Sequence, residues 1–152
     1  MTKISTVPFA CAAVMTMAAP AMAADKATGW KNWADHAERI VTAAESGDMS
    51  AIANACQGST RTIISQGFQF PYWAQMLPQF CGVYKTENRK REVSMKEWRA
   101  ECKELDSRLG SLEKAQPVAE EPRAEPLARH MVTILSALKV RECSKKPERE
   151  RG

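Results

Sequence analysis

The sequence predicts an all-α protein, a compact bundle of about five helices stapled by two disulfides. Apolar residues recur at intervals of three and four over most of the chain, the spacing that places side chains on one helical face. No segment shows the alternation of apolar and polar residues that indicates a strand. Four cysteines remain once an N-terminal signal peptide is removed, and an even count in an oxidising compartment predicts two disulfides.

Residues 1–23 have the pattern of a secretory signal peptide. Lys3 supplies the positive start, residues 4–20 carry no charge and are mostly small and apolar, and Ala21-Met22-Ala23 fits the A-x-A cleavage site. A membrane anchor is the alternative, but prolines and polar residues interrupt the apolar run. We therefore expect cleavage after Ala23, a periplasmic location and no transmembrane segment after cleavage.

Cleavage at this point leaves 129 of the 152 residues, enough for one domain with a modest core. Lys3 and Cys11 are lost, so the formal net charge falls from +4 to +3 and the cysteine count from five to four. For a mildly basic exported chain we expect no nucleic-acid partner, whereas an anionic polymer of the cell envelope remains open.

The first two helices are predicted before residue 67. The first carries its apolar residues from Trp30 to Ala44 and ends near Gly47. The second runs from about 49 to 66, although Gly58 weakens its middle by up to about 1 kcal/mol.

Two further helices are predicted in the centre of the chain. The segment GFQFPYW, residues 67–73, connects to a third helical region that continues to about Lys90 and is bent or restarted at Pro78, because proline lacks the amide donor. The fourth helix begins at Ser94, where the side chains of Ser94 and Glu97 can each bond to the other's backbone amide as a capping box.

The last helix follows a proline-rich segment. Residues 116–126 contain three prolines and three glutamates, a composition that predicts an exposed, extended linker. The fifth helix then reaches about Cys143, which completes a helical domain over 24–143. Residues 144–152 are predicted to be a flexible charged tail.

The four mature cysteines are Cys56, Cys81, Cys102 and Cys143, and they allow three disulfide connectivities. At a rise of about 1.5 Å per residue, an antiparallel hairpin places Cys56 and Cys81 at similar heights. For Cys102 and Cys143 the mismatch is about 6 Å, which a frayed helix end or the long linker can absorb. The heights therefore favour Cys56–Cys81 and Cys102–Cys143 over the other two connectivities.

Enzymatic and metal sites find no support in the sequence. Consecutive mature cysteines are 25, 21 and 41 positions apart, unlike the close ligand pairs of zinc sites. His36 and His130 are the only histidines, neither lies in a recognisable catalytic motif, and both are expected to be partly exposed. There is no haem-attachment motif and no phosphate-binding glycine loop. We predict no cofactor, no metal and no enzymatic activity.

Two surface segments are candidates for binding a protein partner. The first is the aromatic connection within residues 67–73, because aromatic side chains are favoured interface anchors. The alternative is a core plug that closes one end of the bundle. Its candidate residues are Phe68, Phe70, Tyr72 and Trp73.

The second candidate is the basic run KTENRKR, which could contact an acidic protein or envelope polymer. The alternative is a solvated helix end, where cations lie near the negative end of the helix dipole. Its candidate residues are Lys85, Arg89, Lys90 and Arg91.

Three stretches resemble the cysteine landmarks of small periplasmic immunity proteins that protect bacteria from type VI secretion effectors, especially cell-wall amidases. These stretches are NAC at 54–56, QFCGVY at 79–84 and ARHMVTILSALKVREC at 128–143. The resemblance covers roughly residues 50–143. It implies a helical, exported, disulfide-bonded protein that acts by occluding a toxin, and it assigns no toxin-contacting residue.

From the sequence we therefore expect an exported, non-enzymatic protein-binding module, with toxin neutralisation as its specific form. The second hypothesis is an accessory or chaperone-like protein in the assembly of the envelope or of a secretion system. An envelope hydrolase is the third.

Overall fold

The computed structural model describes residues 18–64, 68–87 and 94–144 of the chain. These residues form α-helices and one short 3-10 turn, without any strand, so the predicted all-α fold is confirmed. The elements are α1 (Ala18–Ser46), α2 (Met49–Ala55), α3 (Ser59–Ile64), the 3-10 turn (Ala74–Met76), α4 (Leu77–Glu87), α5 (Met95–Leu112) and α6 (Ala124–Cys143).

The core forms around α1, the longest of these helices. Helix α1 packs against α2, α3 and α6, while α5 packs mainly against α6. Trp33, Ala37 and Ile40 lie at helical spacing on the inner face of α1 and are completely buried. Met131 and Leu135 are the corresponding fully buried residues of α6. The apolar spacing of the first predicted helix therefore agrees with the buried face of α1.

The predicted second helix is wrong as a continuous element, because the chain breaks it into α2 and α3. Gly58 lies between them with φ +82°, a left-handed conformation that glycine adopts without steric cost. At the start of α2, the Asp48 side chain accepts a bond of 2.8 Å from the backbone amide of Ser50. The two short helices thus pack separately on α1.

Two predicted helix starts are confirmed. The 3-10 turn leads into α4 with Pro78 in the first turn of α4, where a missing amide hydrogen breaks no intrahelical bond. At α5, the Ser94 side chain accepts from the Glu97 amide at 3.2 Å, and the Glu97 carboxylate accepts from the Ser94 amide at 3.0 Å. The predicted end of the third helical region near Lys90 lies outside the described residues.

The proline-rich segment is shorter and less exposed than predicted. Helix α6 already begins at Ala124 and includes Pro126 in its first turn, a position that proline tolerates. Within the segment, Glu121 and Ala124 are buried and Val118 is half-buried, whereas six of its eleven residues are exposed. A few side chains therefore hold the segment against the bundle.

The structure describes only part of the residues for which a signal peptide and a charged tail are predicted. Helix α1 includes residues 18–23 of the predicted signal peptide, while residues 1–17 and 145–152 lie outside the described part. No helix among the described residues is long and apolar enough to cross a membrane. Signal-peptide cleavage and periplasmic location stay predictions.

Candidate functional site

The aromatic connection folds back onto the N-terminal half of α1. Phe70 lies edge-on to Trp30 with ring centroids 4.9 Å apart, and Trp73 stacks on Trp30 at 5.5 Å. Trp73 also meets Trp33 edge-on at 5.6 Å, and Phe68 contacts Phe70 at 4.4 Å. Each aromatic pair stabilises the fold by about 0.5–1.5 kcal/mol beyond its buried area. We call these five residues the aromatic cluster.

Hydrogen bonds fix the backbone of the connection as well as its rings. The indole Nε1 of Trp33 donates to the carbonyl of Ala74 at 2.9 Å, inside the core. The Gln75 side chain donates to the carbonyl of Phe70 at 2.7 Å. The Pro71 carbonyl accepts from the Ala74 amide at 2.9 Å, which closes a turn around residue 72. Residues 68–73 are therefore held against the core by their backbone as well as by their rings.

The four aromatic candidates of this connection have different surroundings. Phe70 is 2% exposed and Trp73 is 7% exposed, so both belong to the core, and their role as exposed interface anchors is corrected. The reason is the pair of tryptophans on α1, which provides an apolar surface that the sequence of the loop alone does not reveal. Phe68 is half-buried, whereas Tyr72 is 65% exposed. Of these four, only Tyr72 presents its ring to solvent.

The basic candidates are largely outside the described residues. Lys85 lies within α4, but its side chain is not among those described, and Arg89, Lys90 and Arg91 fall in the segment between α4 and α5. Their role in binding an acidic partner stays a prediction.

Both predicted disulfides are confirmed. Cys56 and Cys81 are bonded with their Cα atoms 5.6 Å apart, and Cys102 and Cys143 are bonded at 5.8 Å. The first pair is buried, whereas both cysteines of the second pair are half-buried. With loops of 25 and 41 residues, the chain-entropy model gives a stabilisation of about 3.5 and about 4 kcal/mol. The first bond joins the end of α2 to α4, and the second joins α5 to the end of α6.

His36 is buried, contrary to the prediction that it is partly exposed. It is 3% exposed, its Nε2 lies 2.9 Å from the Ser59 hydroxyl, and its Nδ1 lies 3.0 Å from the Arg39 guanidinium. Burial, followed by the charge of Arg39, lowers the pKa of His36 below its ordinary value. The helical spacing already indicated that His36 is buried, since residue 36 follows Trp33 by three positions and precedes Ile40 by four.

A histidine beside a serine raises the question of nucleophilic catalysis. Because a guanidinium only donates hydrogen bonds, Nδ1 of His36 must accept from Arg39, and Nε2 then carries the proton and donates to Ser59. The Ser59 hydroxyl in turn donates to the Cys56 carbonyl at 2.8 Å. A serine nucleophile needs the opposite arrangement, with a histidine nitrogen free to accept its proton and an acceptor orienting the ring. This chain of bonds instead ties α1 to α3 beside the Cys56–Cys81 disulfide.

A charged clamp joins the proline-rich segment to α1. Arg123 contacts the carboxylates of Glu121 and Asp35, each at 2.8 Å, and that of Glu38 at 3.0 Å. Hydrogen bonds from Lys31 and then Arg123 lower the pKa of Asp35, and a hydrogen bond from Arg123 lowers that of Glu121. The clamp explains why Glu121 tolerates burial, because a buried carboxylate needs a bonded cation. Its partners are up to 88 positions apart, and no local sequence signal predicts such a contact.

Among the described residues, no group of three or more His, Cys, Asp and Glu side chains is arranged to hold a metal ion. Comparisons of the chain with family models, with curated proteins and with solved structures found no match.

Proposed function

We propose that this chain is an exported, non-enzymatic protein-binding module of the periplasm. The observation that carries the proposal is Tyr72, whose ring is 65% exposed on a connection that the aromatic cluster and the Cys56–Cys81 disulfide hold in place. Tyrosine is enriched among the residues that dominate binding energy at protein interfaces, because it combines a large apolar ring with a hydrogen-bonding hydroxyl.

The rigidity around Tyr72 favours binding. Its neighbours Phe70 and Trp73 are buried, and its own carbonyl accepts from the Gln75 amide at 3.1 Å. Ordering a flexible loop on association costs free energy, whereas a loop that is already ordered avoids this cost. A tyrosine side chain also has only two rotatable χ angles to fix. Tyr72 is therefore suited to contact a partner protein without prior ordering of its loop.

The bonding of His36 and Ser59 supports a non-enzymatic role. The serine proton is directed to a backbone carbonyl, and the histidine is turned so that its protonated nitrogen faces the serine. Both side chains are buried, at 3% and 4% exposure, so a substrate would have to open the core to reach them. The pair is suited to holding two helices together.

In its specific form, the proposal is that the module is an immunity protein that occludes a cell-wall-degrading toxin. The support is the resemblance of residues 54–56, 79–84 and 128–143 to that class of proteins, together with the two disulfides that such a class carries. Protection of cells against a toxin encoded beside this gene would distinguish this role from that of an assembly factor.

The proposal is tested by measuring the affinity of one variant. The tagged mature protein is used to capture its partner from the native envelope, and the purified partner is then titrated with the wild type and with Tyr72→Ala. We expect affinity to fall about 30-fold, the equivalent of about 2 kcal/mol for an interface anchor. Val140→Ala is the matched control, because Val140 is 69% exposed on α6. Unchanged affinity for Tyr72→Ala, or turnover of an envelope substrate by the pure protein, would contradict the proposal.

A further inference from the structure

Over the first three turns of α5, residues 96–104, the charged side chains are sorted onto two separate flanks. At 3.6 residues per turn, three exposed cations fall within about 60° of each other around the helix axis. We call them the basic flank, which consists of Lys96, Arg99 and Lys103. Roughly 130° further around the helix lies an acidic flank, which consists of Glu97, Glu101 and Glu104.

This sorting works against the stability of the helix itself. Arg99 and Lys103 are four residues apart, and Lys96 and Arg99 are three apart, so like charges become neighbours on the helix surface. Lys96 also lies in the first turn of α5, where the positive end of the helix dipole disfavours a cation. Alternation of Glu and Lys at a spacing of four residues would have stabilised an exposed helix instead.

The basic flank is also not used within the described fold. No acidic side chain among the described residues pairs with any of its three cations, although α5 offers ion pairs elsewhere. Arg108 pairs with Glu104 on the same helix, and Lys139 of α6 pairs with Asp106. The part of the chain that the structure describes therefore leaves these three cations without a carboxylate partner.

We propose that the basic flank is a docking surface for an acidic segment of a protein partner. Lys96 and Lys103 are separated by about 10 Å along the helix axis, so the three cations form a short line that matches carboxylates along one helix or strand. Pairing with such a segment would remove the like-charge repulsion that the free helix carries.

An anionic membrane fits this surface less well. A helix that binds a bilayer inserts its apolar face, but the apolar face of α5, with Leu105, Leu109 and Leu112, is buried in the core. Binding of the basic flank to a membrane would also bring the acidic flank of the same helix close to the anionic lipids, which would repel it. A narrow acidic segment can contact the cations and avoid those carboxylates.

The test uses a fluorescent 12-residue peptide of glutamate and alanine, with glutamine replacing glutamate in the control peptide. The mature, oxidised protein is titrated at low and at high salt, because charge-dominated binding weakens as salt rises. The flank variant is Lys96→Gln, Arg99→Gln and Lys103→Gln combined. Its matched control combines Lys31→Gln, Arg61→Gln and Lys114→Gln, which alter three exposed cations on other elements.

We expect the flank variant to bind the acidic peptide at least tenfold more weakly than the wild type, and the control variant to bind within twofold of it. The Tm of the flank variant should equal or exceed that of the wild type, because the like charges are gone. The single variant Arg99→Gln, central in the flank, should lose at least threefold.

Three results would overturn the inference. They are equal losses in both triple variants, tighter binding to vesicles of anionic phospholipid than to the peptide, and no salt-dependent binding of the peptide by the wild type. This inference rests on the proposed function for the assumption that the partner is a protein. The experiments can nevertheless refute either proposal without refuting the other. If the peptide result fails while Tyr72→Ala still weakens the native complex, the docking role of the flank is excluded and the protein-binding function stands.

Discussion

Gly29→Ala tests the packing that holds the aromatic connection on α1. Gly29 lies within α1 beneath the ring of Phe68, and a Cβ atom at position 29 would lie 2.1 Å from Phe68 Cε1 and 3.0 Å from its Cζ. Ordinary contact between carbon atoms is about 3.5–4 Å. The ring of Phe68, whose centroid lies 4.4 Å from that of Phe70, must therefore move by more than about 1 Å.

Two effects of opposite sign set the result of this substitution. Replacing glycine with alanine inside a helix stabilises by about 0.5–1 kcal/mol, because glycine loses more backbone freedom on folding. Overpacking against a ring costs about 1–3 kcal/mol. Because Phe68 is only half-buried and its ring can partly yield, we expect a net loss of about 1 kcal/mol in the free energy of unfolding.

A double-mutant cycle measured by urea denaturation separates the two effects. In a Phe68→Ala background the clash disappears, and Gly29→Ala should then stabilise by about 0.5–1 kcal/mol. The sign of the Gly29→Ala effect is thus expected to reverse between the two backgrounds. Stabilisation by Gly29→Ala in the wild type, or the same change in both backgrounds, would refute the described packing of Phe68 on α1.

Three further predictions concern pH, reduction and export. Because the pKa of folded His36 is lowered, its stabilising contribution is complete above the unfolded value of about 6.5 and declines as pH falls. The urea midpoint of the wild type should therefore fall between pH 7 and pH 5 by more than that of His36→Gln; parallel curves would contradict this. Limited reduction followed by alkylation should label the half-buried Cys102 and Cys143 before the buried Cys56 and Cys81, and the reverse order would contradict the described burial. The exported protein should begin near Ala24 without a free thiol; two or more alkylated cysteines by intact mass, without reductant, would exclude the two-disulfide account.

Regular geometry explains what could be predicted from the sequence. The rise of an α-helix is fixed, so counting residues from a turn favoured the two disulfides that the structure has. For Cys56 the count assumed one helix over 49–66, whereas Cys56 directly follows the end of α2 at Ala55. Capping has an equally local signature, which is why Ser94 and Glu97 marked the start of α5 correctly.

The predictions that were wrong failed for different physical reasons. The propensity cost of Gly58 is too small to show whether a helix continues or breaks there, and only the structure shows its positive φ. The burial of Phe70 and Trp73 depends on Trp30 and Trp33, which lie about 40 positions earlier in the chain. For such contacts, composition shows that a segment is apolar but not which surface it covers.

The central claim, a protein contact at Tyr72, is tested most directly by site-specific photocrosslinking in intact cells. A photoreactive phenylalanine analogue replaces Tyr72, and the same analogue at the exposed Glu113 is the control. The account predicts one discrete adduct of this chain with another protein from position 72 and none from position 113. No adduct from position 72, or equal adducts from both positions, would contradict it.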